Sequence, residues 1–303
     1  MLAQTDVFND VQLHACAIPG WRQAYDQLES GAAHTVLRQL SGARVQVFHE
    51  AIDKCVAQRG RSPHGRLCVA MSTSRSAMPL FQGQPVGAGR VTLLRADEEF
   101  FVQSDGGLAL LALTLDAEHF AQAAGHALTD SQWQHLARSW TLQVPEPQLR
   151  CASSRLYRLL NEAPDEQQAE QVATEVFLDL LEHASENTLR RSSYGVYAYL
   201  VRKSQECVLD ALDAPPSILE ICRALNVSRR TLQVSFQEVT GMRPVEYLRA
   251  VRLNEARRRL RLTCAQEYSV AQIATDLGFG HLSHFAGNYR ALFAEAPSQT
   301  PRR

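Results

Sequence analysis

Four things are missing from this sequence, and each removes a class of protein. The seven cysteines (Cys16, Cys55, Cys68, Cys151, Cys207, Cys222 and Cys264) are odd in number, scattered, and contain no CxxC pair. That argues against a disulfide framework or a zinc knuckle and fits a reducing compartment, with each thiol read as a small buried hydrophobe. No apolar run approaches the roughly 20 residues of a membrane helix. The start, "MLAQTDVFNDVQLHACAIPGW", lacks the basic region, apolar stretch and cleavage site of an export signal. The expectation is a cytoplasmic protein with no membrane partner. Finally, His49, Glu50 and His64 do not form the closely spaced histidine and glutamate pattern of a metal-binding β-barrel enzyme. No catalytic residue and no metal ligand is assigned.

What is present is 303 residues, 45% of them hydrophobic, enough for about two cores at roughly 100 to 200 residues per domain. The net charge of −1 hides a segregation. Residues 190–303 carry 17 Lys+Arg against 10 Asp+Glu, a net +7, and the rest carries 14 against 22, a net −8. A basic C-terminal third suggests an anionic partner, although a mildly positive helical domain without one is common.

From about Ala33 to Leu115 the chain reads as short strands such as "TVLRQL", "RVQVFHEAI", "RLCVAM", "RVTLLRA" and "LALLALTL", with turn signals between them. This pattern predicts an antiparallel barrel or sandwich. After Asp116 the period becomes helical. "DAEHFAQAAGHAL" and "DSQWQHLARSW" each open on an aspartate suited to an N-cap, and a helical pair follows across 146–188, divided at Pro164 and Asp165. Its apolar stripe reads as core or as a dimer interface. "RRSSYG", Arg190 to Gly195, reads as the linker, dividing the chain into 1–189 and 190–303.

Beyond the linker one pattern occurs twice. Ile221, Leu225 and Val227 recur 52 residues later as Ile273, Leu277 and Phe279, and Leu232 and Phe236 recur 53 later as Phe285 and Tyr289. Asn226 and Gly278 sit where a tight turn favours positive φ, and Ser228 suits an N-cap. Each unit is a helix-turn-helix. Between them "PVEYLRAVRLNEARRRLRL", Pro244 to Leu262, reads as one helix of roughly 28 Å, which would set the two second helices close to the roughly 34 Å spacing of successive major grooves.

The first turns of such a second helix face base edges. In the first unit they hold Arg229, Arg230, Thr231, Gln233 and Val234. Arginine can bond guanine through two atoms, glutamine can do the same with adenine, and Val234 can meet a thymine methyl. The corresponding residues of the second unit are His281, Ser283, His284 and Asn288. The two histidines lack nearby cysteine or acidic ligands, so groove contact is favoured over metal. Ser228, Arg252 and Arg258 are read as phosphate contacts, the connecting-helix arginines having core-side pairing as their alternative.

On "LNVSRRTLQVSFQEVTGMRPVEYLRAVRLNEARRRL" and "SVAQIATDLGFGHLSHFAGNYRALFAEAPS", residues from about 200 to 300 resemble the tandem helix-turn-helix domain of AraC/XylS-type transcription regulators. "VSRRTLQ", "FGHLSHFAGNYRALFAE" and, more weakly, "GWRQAYDQL" are similar to ethanolamine-operon regulators within that family. The resemblance implies an α+β chain: an antiparallel, cupin-like sensor with flanking helices, then an all-α DNA-binding domain. It further implies promoter DNA and RNA polymerase as partners, a small amine or amino alcohol as inducer, room for a cobalamin co-effector, and a homodimer as one assembly. The family's last helix is expected to be short or missing after "APSQTPRR". Trp21, Tyr25, His49, Phe81, Phe100 and Phe101 are the aromatic residues that could cage a cationic effector. Two other readings stay open, a cupin-type enzyme fused to a DNA-binding module and an effector-independent DNA binder.

Overall fold

The computed structural model describes residues 1–74, 78–87, 89–104, 106–125, 127–185 and 193–303. Half of the linker expected at Arg190 to Gly195, with the 189/190 boundary, lies outside the described residues, while Ser193 to Gly195 open a helix instead of continuing a linker.

The N-terminal part is two antiparallel sheets. One runs β1-β3-β4-β11-β6-β9-β12: Leu2–Phe8, Thr35–Ser41, Val45–Ile52, Leu108–Asp116, Arg66–Ser72, Arg90–Leu94 and Thr141–Gln143. The other runs β2-β5-β10-β7-β8: Arg22–Gln27, Val56–Arg61, Glu99–Ser104, Leu80–Phe81 and Gln84–Pro85. A short helix α1, Val11–Cys16, follows β1 and is capped by Asp10, whose carboxylate accepts from the Gln12 and Leu13 amides. Strand alternation divides β4 between two cores. Val45 and Val47 lie under the flanking helices, while Phe48 belongs to a cluster on the opposite side with Leu37 and Ala112.

The flanking helices are α2 (Ala117–Ala124), α3 (Asp130–Arg138), α4 (Glu146–Glu162) and α5 (Glu166–Glu182). Asp116 caps α2 as expected, whereas α3 is capped by Thr129, which accepts from the Gln132 amide, so Asp130 is the first helical residue. The α4 to α5 turn falls where Pro164 and Asp165 placed it: Ala163 adopts a left-handed φ of 45°, and Asp165 accepts from the Gln168 amide at 2.9 Å. Val176, Phe177, Leu180 and Leu181 are buried with Leu111, Leu113 and Leu115 of β11. The stripe of this pair is core packed on the larger sheet.

The C-terminal part is helical: α6 (Ser193–Leu209), α7 (Ile218–Ala224), α8 (Arg229–Thr240), α9 (Pro244–Leu262), α10 (Val270–Asp276) and α11 (Leu282–Phe293), with a single 3-10 turn at Pro297–Gln299. Its core is continuous with the smaller sheet, since Leu28, Ala57 and Phe101 join the cluster formed by Val201, Phe236, Tyr247, Val251 and Tyr289. Among the described residues no helix is long and apolar enough to cross a membrane.

Candidate nucleic-acid interface and buried cavity

Both repeated units are built by local signals. Ser217 and Glu220 form a reciprocal capping box at α7, Asn226 turns the chain at φ 52°, and the Ser228 hydroxyl accepts from the Thr231 amide to start α8. In the second unit Ser269 caps α10, Gly278 turns at φ 69°, and His281 occupies the N-cap of α11 without a side-chain cap bond. Leu232 and Phe236, like Phe285 and Tyr289, are buried, so the remaining helical face of each second helix points outward. Arg229, Arg230, Gln233 and Val234 are exposed on α8, and His281, Ser283 and His284 are exposed at the start of α11. Thr231 and Asn288 are half-buried, and the Thr231 hydroxyl lies 2.8 Å from that of Ser228.

Two of the expected phosphate contacts are corrected. Arg258 spends its guanidinium internally, on Asp26 Oδ1 at 2.8 Å and Glu255 Oε2 at 2.8 Å. Arg252 donates through Nε and Nη2 to the Leu277 carbonyl, at 3.1 and 2.7 Å, and lies 4.2 Å over the Phe279 ring. Both therefore brace the connecting helix, the core-side option, because unpaired guanidiniums on this packed helix would cost several kcal/mol.

α9 is also fastened to the N-terminal part. The buried Arg257 guanidinium bonds Asp10, donates to Glu295 Oε1 at 2.7 Å, and lies 4.5 Å over Phe293. Arg261 adds a second contact to Asp10 at 2.9 Å. Burial pushes the Asp10 carboxyl up, but the charge and hydrogen bond of Arg257, then Arg261 and the Gln12 amide, outweigh it and leave its pKa below the ordinary value. A lowered folded-state pKa gives stability that is full above the ordinary carboxylate value and is lost as pH falls through the folded one. Acid titration of the thermal midpoint is expected to show this loss in the wild type and a flatter profile in Asp10→Asn. Equal slopes would mean that Asp10 does not anchor Arg257.

Between the two sheets lies a cavity of about 60 Å³. Trp21, Phe48, Phe81 and Phe100 wall it, and Glu50 is among its lining residues. Glu50 is 1% exposed. Its Oε2 lies 3.0 Å from His14 Nε2 and accepts from the Tyr25 hydroxyl at 2.9 Å, while Oε1 accepts from Gln58 Nε2 at 3.3 Å. Burial, then the Glu50 charge, pushes the Tyr25 hydroxyl well above its usual pKa, so it stays a donor.

Of the aromatic residues picked from sequence, Trp21, Tyr25, Phe81 and Phe100 line this cavity and two do not. Phe101 turns into the core shared with the helices, and His49 packs 5.5 Å from Tyr157, its pKa lowered first by burial. Glu50, His14 and Gln58 were missed as site residues. The available signal was alternation in "VQVFHEAI", which sets Glu50 on the same strand face as the core residue Phe48.

Residues 221–303 match the family model described as a helix-turn-helix domain. The chain is 35% identical over 88 residues to a probable thc operon regulatory protein of Rhodococcus erythropolis, covering 29% of this chain and 26% of that one. It is 34% identical over 125 residues to the XylDLEGF operon transcriptional activator 3 of Pseudomonas putida, covering 41% and 37%. These alignments thus span about a quarter to two-fifths of the relatives' length. A longer match, 27% identical over 230 residues and covering 72% of this chain and 80% of the other, is to the HTH-type transcriptional activator RhaS of Yersinia pestis bv. Antiqua (strain Angola). Among solved structures, the AraC-like transcriptional activator CuxR aligns at a TM-score of 0.44 and 13% identity, over 88% of this chain and 96% of that one. Residues 221–303 thus form a helix-turn-helix domain, similar in sequence to the corresponding part of transcriptional activators.

Proposed function

We propose that the chain is a cytoplasmic transcription activator that binds promoter DNA through α8 and α11, acts with RNA polymerase, and responds to a small amine or amino alcohol held in the sensor. The observation that carries the reading is the pair of outward faces on two like units joined by one helix. α8 supplies Arg229, Arg230, Thr231, Gln233 and Val234, and α11 supplies His281, Ser283, His284 and Asn288, with the Ser228 cap beside the backbone. Such a chain spans two grooves as a monomer, and a homodimer would double the site. The cavity supports the effector half of the proposal. Its volume suits roughly four or five water-sized groups, and a buried carboxylate among aromatic faces favours a cation.

The test is binding of the purified protein to promoter fragments from its own genomic neighbourhood, at fixed salt, with and without ethanolamine and related amines. Sequence-specific binding that one amine changes is the expected result. Arg230→Ala or Gln233→Ala should relax preference at individual bases by about 1–3 kcal/mol. Equal weakening on every sequence would remove their base-reading role. Specific binding that ignores every amine would retain the DNA-binding half and remove the effector class.

A further inference from the structure

We infer that helix α1 and strand β2 form a relay carrying the state of the cavity to α9, the helix that joins the two units; its consequence for DNA rests on the reading just given. Each of the two elements touches both places. On α1, the His14 ring is within 3.0 Å of Glu50, while Asp10, one turn earlier, holds Arg257 and Arg261, and Gln12 Nε2 donates to the Asn254 carbonyl at 2.9 Å. On β2, alternation sends Tyr25 inward to donate to Glu50, and Asp26 outward to accept from Arg258 and Gln205, both at 2.8 Å. The next residue completes the contact. The Gln27 amide donates to Asn254 Oδ1 at 2.9 Å, and its carbonyl accepts from Asn254 Nδ2 at 2.8 Å. The edge of β2 is thus paired with a side-chain amide of α9 instead of another strand.

Both branches meet at one atom, Glu50 Oε2. A ligand competing for that oxygen turns the carboxylate or draws His14 and Tyr25 with it. Asp10 is both the N-cap of α1 and the anchor of Arg257. A shift of α1 by about 1 Å therefore takes charge-assisted bonds out of range. Because α9 is one continuous helix packed against α8, α10 and α11, loosening it frees the orientation of both units together.

The relay predicts an effect without any ligand. Glu50→Gln keeps the shape and removes the charge that His14 and Tyr25 meet. In hydrogen exchange read by mass spectrometry on the full chain, amides of α1 and of residues 250–258 should then exchange about fivefold or more faster. Affinity for a promoter fragment bound by the wild type should shift by a similar factor. Tyr25→Phe, which removes a single hydroxyl, should act in the same direction and covers the case of a Glu50→Gln chain that does not fold. Phe120→Leu trims the core under the flanking helices and should leave residues 250–258 unchanged. Unaltered exchange of α9 in both Glu50→Gln and Tyr25→Phe overturns the relay. Equal acceleration in Phe120→Leu does so as well, since it would report general loosening. A wild type that binds no fragment specifically sinks the DNA-binding reading, while the exchange data still decide the relay.

Discussion

Replacing Arg257 with alanine is expected to lower the stability of the docked chain by about 3 kcal/mol, near the lower end of the range for breaking a buried ion pair. Its side chain is 6% exposed and serves two carboxylates, Asp10 at 2% and Glu295 at 27%. Removing it leaves the buried Asp10 with Arg261 and the Gln12 and Leu13 amides, which is why the upper end of the range is not reached. The Arg257 stem and its stacking on Phe293 are lost as well. Arg257→Lys keeps the charge but cannot present two donors in a fixed fork, so it should recover only part of the loss. Urea unfolding of the three proteins measures this directly. An alanine variant as stable as the wild type would mean that desolvation cancels the pair, and the docking of α9 would then rest on Asn254, the Arg258–Asp26 pair and the shared apolar core.

Gly278→Ala is the second large effect, expected to cost about 2–5 kcal/mol. A left-handed φ costs an L-residue roughly 1–2 kcal/mol, and overpacking adds about 1–3. Both apply here: φ is 69°, and an added Cβ would lie 2.5 Å from Pro215 Cδ and 3.1 Å from the Leu212 carbonyl oxygen. This turn sets the angle between α10 and α11 and seats the second unit against the loop before the first. The variant should therefore lose specific DNA binding along with stability. Adding Pro215→Ala removes the ring atoms but neither the Leu212 carbonyl nor the backbone strain, so the double variant should regain only the part of the steric share due to Pro215. Calorimetric midpoints and promoter binding would report both, and wild-type behaviour of the single variant would refute the close approach.

The sequence by itself determined the elements whose signals are local. Ser228 capping α8, Asn226 and Gly278 turning the chain, Pro244 opening α9 and Asp165 opening α5 all act within a few residues, so the bounds of α9 and the two helix-turn-helix units were legible without a fold. The outward placement of Arg229, Arg230 and Gln233 followed from the same 3.6-residue period. Only the tertiary structure decided where long charged side chains end. Arg258 and Arg252 look like phosphate ligands on a basic helix, yet the partner of Arg258 is Asp26, 232 residues away, and that of Arg252 is the Leu277 carbonyl across a helix packing. The polar strand "RQAYDQ" of β2 likewise carries no clear strand signal, because its residues answer to a cavity on one face and a helix on the other. Capping and periodicity are properties of a short segment, whereas the partner of a buried charge depends on which distant segment packs beside it.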